Sequence, residues 1–298
     1  MKISVLGSNG FLSSSIASFF INKGWGLDIY GLYEPKEHSF DNFYKVDLMN
    51  STLNYAMLLD SDIIVYAIGA GIQADLKEGA NLIYKLNVSV PVALCSRLEE
   101  LSYKGCFVTF GSVFEMGETT EQKLFNEEEI LTSLAPSPND YTTSKRMLSR
   151  FVSSYRPHFT HWHFYIPTIY GMGENPKRLI PYVVNSLLNG DEMHFTSGVQ
   201  TRQYLHVSEV AVMLLCAYEN KLTSGVYNIE GSETLTVKSI VEMIHDILGK
   251  KLPNDCFGSM LRDDAGMKYL ALDGSKLFSA IGFRAEKTIK SSISDYIN

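Results

Sequence analysis

Lys2-Ile3-Ser4-Val5-Leu6-Gly7-Ser8-Asn9-Gly10-Phe11-Leu12-Ser13 is the stretch on which the fold turns. A short apolar strand runs straight into glycine, and a helix over Phe11–Lys23 follows, closed by Gly24 as a C-terminal cap. Gly7 and Gly10 stand where a tight turn and a close backbone approach to a pyrophosphate need them, and the new helix aims its free N–H groups at that anion. Ser13 fills the place of the third glycine of such a fingerprint, where a small residue serves helix–strand packing.

Working outward, strand and helix alternate. Leu27–Leu32, Asp62–Ala67, Cys106–Phe110 and His161–Ile166 read as strands, the middle two apolar enough to be buried on both faces. Asn87–Leu101 and Asp140–Tyr155 read as helices. The pattern predicts an α/β fold, a doubly wound parallel sheet, with a smaller C-terminal lobe that binds substrate. Residues 1–168 are expected to form the dinucleotide-binding domain, with 204–228 packing back onto it. Residues 169–298, carrying helices over Leu179–Leu188, Val207–Asn220 and Val237–Leu248, are expected to be mainly the substrate lobe.

The 298 residues carry a net charge of −7 with no long basic stripe, so nucleic acid and anionic membrane are not expected partners. Cys95, Cys106, Cys216 and Cys256 form no C-x-x-C pair, which argues against a zinc site or a disulfide framework. The first residues show no signal peptide and no stretch is long enough to span a bilayer, so a cytoplasmic location is expected. His158, His161 and His163 cluster without a third ligand at metal spacing and read as strand-packing or surface residues, so no metal site is expected.

Three groups carry chemistry. Tyr141 and Lys145 share one face of a helix, and an ammonium beside a phenol favours the phenolate. Ser112 follows the strand ending at Phe110-Gly111, at the carboxyl edge of the sheet where ligands of open α/β sheets bind. Glu34, about twenty residues past the glycine turn, suits a ribose 2′-hydroxyl and repels a 2′-phosphate, which favours NAD over NADP. Asp47 is placed to accept a hydrogen bond from an adenine amino group.

The combination of Gly7/Gly10, Asp47-Leu48, Asp62-Ile63-Ile64-Val65, Asn87-Val88, Gly111-Ser112 and Tyr141-x-x-x-Lys145 resembles the extended short-chain dehydrogenase/reductases of the NAD-dependent epimerase/dehydratase type. Ile169-Tyr170-Gly171, Gln200 to Val207, Tyr227-Asn228-Ile229 and Leu272 to Leu277 continue the likeness in the same order, over nearly the whole chain. The resemblance implies a catalytic Ser112, Tyr141 and Lys145. It implies a dinucleotide, NAD or NADP, held by Gly7, Ser8, Asn9, Gly10, Phe11, Leu12, Glu34, Asp47, Leu48, Ala67, Ile68, Gly69, Asn87, Tyr141, Lys145 and Pro167. A nucleotide-sugar substrate would lie against Ser112, Phe114, Thr168, Arg202 and Arg262, the two arginines on its diphosphate. A homodimer through a four-helix bundle is implied as well.

The chain departs from the family pattern at Tyr66, Tyr165, Thr168, Gln203 and Ser208-Glu209, where His, Arg, Asn, Asp and an Asp-Asp pair are usual. Sugar-dehydrating members carry Asp-Glu directly after the catalytic hydroxyl. Here Val113 and Phe114 stand there and cannot move protons, and the Cys/His pair of members that epimerise beside a ketone has no counterpart at Val113. The expected activity is NAD(P)-dependent reduction of an NDP-4-keto-6-deoxy sugar. The alternatives are an NDP-sugar 4-epimerase with tightly held NAD, and a catalytically inactive dinucleotide-binding sensor or scaffold.

Overall fold

A computed structural model describes the chain except for residues 37, 52, 73–75, 253–255, 261–265 and 298. Strands β1 (Lys2–Leu6), β2 (Gly26–Gly31), β3 (Asn42–Lys45), β4 (Ile63–Tyr66), β5 (Cys106–Ser112), β6 (Thr160–Ile166) and β9 (Gly225–Asn228) form one parallel sheet in the order β3-β2-β1-β4-β5-β6-β9. This is the Rossmann-type arrangement. The strand order reverses between β1 and β4, and the crevice outside their carboxyl ends is where such sheets take ligands.

Alternation along the strands explains why their sequences read as continuous apolar runs. Ile3, Val5, Ile63 and Val65 are fully buried on the face covered by helices α1 (Phe11–Asn22) and α7 (Val207–Glu219). Leu6, Ile64, Tyr66 and Phe107 point to the other face, against Leu94 and Leu98 of α3 (Val90–Glu100). Helix α5 (Asp140–Ser154) closes that side, with Ser144, Lys145, Leu148 and Ser149 buried. The helix expected from Asn87 is preceded by α2 (Ala80–Tyr84) and passes through a π turn over Lys85–Ser89 before becoming α3. The π turn lets the buried Asn87 face inward, and such turns recur at functional sites.

The second half contributes in two ways. Helix α7 packs Val210, Met213 and Leu214 into the same core as α1, and β9 extends the main sheet. The remainder builds a second, smaller sheet that periodicity did not show. Its central strand β8 (Thr201–His206) is flanked by β10 (Glu233–Thr236) on one side and by β7 (Thr168–Tyr170) and β11 (Tyr269–Leu270) on the other. Helices α6 (Leu179–Asn189) and α8 (Val237–Leu248) pack through Val183, Val184, Ile240 and Ile244. Among the described residues, the stretch after α8 holds two short α-helices, α9 (Ser275–Ile281) and α10 (Ile289–Ser292). No helix among the described residues is long and apolar enough to cross a membrane.

Asn228, the last residue of β9, ties the main sheet to the chain just past β11. Its fully buried amide donates to the Phe125 carbonyl at 2.9 Å and the Asp273 carbonyl at 3.0 Å. Asn228→Ala takes this donor from the Asp273 carbonyl and leaves the Phe125 carbonyl with the Asp273 amide alone, and urea unfolding is expected to show a loss of about 1–3 kcal/mol. An unchanged midpoint would show that these segments are held together elsewhere.

Candidate active site

The first turn is built as an anion cradle. Gly7 has φ +122°, open to glycine and strained for other residues, and a Cβ there would lie 3.3 Å from Ser13 Cβ. Ser13 Oγ accepts from the Gly10 amide at 3.1 Å and donates to the Gly10 carbonyl at 2.9 Å, so serine does more here than keep the packing small. Helix α1 has no acidic residue in its first turn to compete for a bound anion.

Asn9 is turned towards the protein. Its Nδ2 donates to the carbonyls of Tyr33 and Glu34 at 3.2 and 3.0 Å, and its Oδ1 accepts from the Lys36 amide, which ties the glycine turn to the loop after β2. Glu34 itself is exposed on that loop. Asp47 follows β3, and its carboxylate accepts from Met49 N at 3.0 Å and Asn50 Nδ2 at 2.9 Å. These bonds, Asn50 first, hold its pKa below the ordinary value.

Ala67, Ile68 and Gly69 follow β4 beside the glycine turn, with the Ala67 carbonyl 3.4 Å from where a Gly7 Cβ would be. Asn87 braces this loop from behind. It exchanges bonds with Ala70 N and O at 2.9 Å and donates to Ser144 Oγ of α5 at 2.9 Å. Pro167 is buried between β6 and β7, and Thr168 opens β7 with a hydroxyl that has no hydrogen-bond partner among the described residues.

Ser112, Tyr141 and Lys145 converge. Ser112 ends β5, and its Oγ accepts from Phe114 N at 3.2 Å. Lys145 Nζ donates to the Phe110 carbonyl at 2.8 Å and lies 5.9 Å from the Tyr141 ring centre. Burial raises the Tyr141 phenol to about 12, opposed by the Ser112 hydroxyl beside it and by the Arg178 charge, and reinforced by Glu115. Burial also pushes the Lys145 ammonium down, while Glu115 holds it up. At neutral pH the phenol therefore keeps its proton and is poised to give one rather than take one.

Arg202 reaches the same cleft from β8. It is buried, donates to the Thr201 carbonyl at 2.9 Å, and lies 5.8 Å from the Phe114 ring centre. Arg262 lies outside the described residues. His161 and His163, read as strand-packing or surface residues, are both buried and both bonded to Thr109 Oγ1, at 3.0 and 2.8 Å.

Three participants were not read from the sequence. Arg178, at the entry to α6, pairs with buried Glu174 at 3.2 Å, donates to the Ile169 carbonyl at 2.7 Å, and lies 5.9 Å from the Phe11 ring centre. Nothing in its local sequence marks it. Glu115 accepts from the Ser112 amide at 2.8 Å, and Ser112-Val113-Phe114-Glu115 is a legible capping-box pattern. Gly31 ends β2, and a Cβ there would fall 2.2 Å from Ser8 Oγ. Gly31→Ala is expected to cost about 1–3 kcal/mol in urea unfolding as an overpacked contact under the glycine turn. An unaltered midpoint would show that the turn yields freely.

The chain matches the model of the NAD dependent epimerase/dehydratase family over residues 3–229. It is 27% identical over 192 residues to dTDP-glucose 4,6-dehydratase 1 of Escherichia coli (strain K12), a match covering 60% of this chain and 51% of that protein. With CDP-abequose synthase of Salmonella muenchen it shares 21% over 215 residues, 70% of this chain and 68% of that one. The chain thus spans about half the length of the first relative and about two thirds of the second. Among solved structures, MoeE5 in complex with UDP-glucuronic acid and NAD superposes with a TM-score of 0.84 over 99% of this chain and 97% of that one, at 18% identity. With its family model matched over most of its length and its sheet ordered as that fold requires, the chain belongs to the NAD dependent epimerase/dehydratase family.

Proposed function

We propose that the protein reduces an NDP-4-keto-6-deoxy sugar with NADH or NADPH. The observation that carries this reading is the pair that follows Ser112. Val113 is buried and Phe114 lies against Arg202, so no side chain there can abstract or return a proton at the carbons beside the reacting centre, as dehydration requires. Glu115, next in the chain, is 1% exposed and its carboxylate is taken by the Ser112 amide and the Ser149 hydroxyl.

The cradle at Gly7 and Gly10, the helix end behind it and the loop Ala67–Gly69 fit a dinucleotide pyrophosphate. Glu34 would face the ribose and Asp47 the adenine of its single adenosine end, and Glu34 favours NAD. Reduced nicotinamide supplies the hydride when bound. Tyr141 gives its proton to the carbonyl oxygen, the Ser112 hydroxyl donates a hydrogen bond to that same oxygen, and the Lys145 ammonium favours the phenolate that results. Arg202 supplies charge for the substrate diphosphate beside Phe114 and Thr168. Residues 1–168 with 204–228 would hold the cofactor and the rest of the chain the sugar. A homodimer and a cytoplasmic location belong to the same proposal.

The same three residues could serve a 4-epimerase, which the family also contains, and cofactor stoichiometry separates the two. Against a panel of NDP-4-keto-6-deoxy sugars, loss of reduced-nicotinamide absorbance is expected to match product one for one. Product without net consumption would establish the epimerase instead. Tyr141→Phe is expected to lower turnover by roughly 10²–10⁴-fold, the usual worth of a positioned acid, with NADH binding by calorimetry nearly unchanged. Full activity in that variant would remove Tyr141 from the chemistry.

A further inference from the structure

Glu115 is a buried carboxylate that touches the backbone of the proposed centre, and the function above leaves it unused. Its Oε1 accepts from the Ser112 amide at 2.8 Å, and its Oε2 accepts from Ser149 Oγ at 2.5 Å. Behind Ser149 runs a continuous buried chain. Ser149 Oγ meets His163 Nε2 at 2.9 Å, and His163 Nδ1 meets Thr109 Oγ1 at 2.8 Å. Thr109 Oγ1 meets His161 Nε2 at 3.0 Å, and His161 Nδ1 lies 4.0 Å from Cys95 Sγ. Cys95 is fully buried, so the chain is closed at that end and is not a route to solvent.

Each link can donate in one direction only at a time. With Glu115 ionised, every donor points towards it: Cys95 S–H to His161, His161 Nε2–H to Thr109, Thr109 O–H to His163, His163 Nε2–H to Ser149, and Ser149 O–H to the carboxylate. With a proton on Oε2, the arrangement that keeps the Ser149 proton within the chain is the reversed one, in which both histidines exchange Nε2–H for Nδ1–H. Neither histidine charges in this exchange, because burial pushes both imidazoles far down. Every link is satisfied in both arrangements, which makes the chain a two-state element.

We propose that Glu115 is the buried counter-charge of the Ser112–Tyr141–Lys145 centre, a positioning residue that fixes the Ser112 amide, faces the Lys145 ammonium, and carries its charge state into the orientation of the Ser149–His163–Thr109–His161 chain. This rests on the roles proposed above for Ser112, Tyr141 and Lys145. The groups around it are Tyr141, Lys145 and Arg146 on α5, His163 and Tyr165 on β6, and Glu127 on α4 (Glu127–Thr132), whose carboxylate accepts from the Asn228 backbone N–H. Burial raises the Glu115 carboxyl, while Ser149, the Ser112 amide, Lys145 and Arg146 pull it back down. Arg146 donates to the Glu115, Met116 and Ala135 carbonyls and keeps its charge throughout, so Lys145 is the cation whose titration responds. An ionised Glu115 keeps both Lys145 and Tyr141 protonated to higher pH.

Glu115→Gln tests this without substrate. Its amide oxygen still accepts from Ser112, while its N–H must donate to Ser149, which fixes the chain in the reversed direction. In the full chain labelled with ε-¹³C lysine, with Lys145→Arg used for assignment, the Lys145 titration is expected to fall by about one pH unit in Glu115→Gln. In ¹⁵N-histidine spectra, two buried imidazoles are expected to change tautomer with pH in the parent and to stay Nδ1–H in the variant. Ser149→Ala, which removes one donor from the carboxylate, is expected to lower the Lys145 titration by less and serves if Glu115→Gln does not fold. Superimposable Lys145 titrations with pH-independent tautomers in the parent would overturn the inference. Loss of the proposed function would instead appear as full turnover in Tyr141→Phe, which neither readout here measures.

Discussion

Strand β5 outlasts its neighbour β4, and the backbone this leaves bare must be met by side chains. The last paired residues are Val65 and Val108, whereas the ladder to β6 runs on to Ser112. Cys106 N donates to Asp62 O on the β4 side, and alternate residues share that side, so the Phe110 carbonyl and the Ser112 amide look into the gap. A buried backbone group without a partner costs about as much as a lost hydrogen bond. Lys145 meets the carbonyl and Glu115 meets the amide. The requirement that closes a sheet edge therefore also places an ammonium and a carboxylate at the mouth of the site.

The remaining parts follow from that edge. Helix α5 must lie over β5 for Lys145 to reach Phe110, which sets Tyr141 one turn earlier against the Ser112 hydroxyl. Asn87 ties the same helix to the loop after β4 through Ser144 and Ala70, so the glycine turn, that loop and the phenol are held relative to one another by bonds rather than by packing alone. Arg202 from the smaller sheet and Arg178 from the entry to α6 bring positive charge to a chain of net charge −7. Local cations suffice for an anionic substrate in such a protein, and a general positive field is not needed.

Burying two histidines, two hydroxyls and a carboxylate in one interface is costly unless every group is paired. Here each has a partner within hydrogen-bond reach, and the partners come from β5, β6, α5 and the turn after β5. Networks of this kind often gain nothing in stability over an apolar interface of the same shape, and the worth proposed for this one is to hold a charge beside the candidate site.

The sequence by itself determined the parallel sheet, the glycine turn and the Tyr141–Lys145 spacing, because each is written in neighbours along the chain: apolar runs, a strand running into glycine, two residues one helical turn apart. Gly31 under Ser8, Arg178 beside Phe11, and the second sheet around β8 were decided only by the tertiary structure, since each depends on which distant segments meet. The same holds for the histidines. Their spacing put them on one side of a strand, but only the fold showed that this side is closed by Thr109 and Ser149, where burial denies them both charge and metal-like exposure. Glu115 stands between the two cases. Its capping-box spacing with Ser112 was legible, while its burial and its lysine were not, because a local pattern fixes a hydrogen bond but never the dielectric around it.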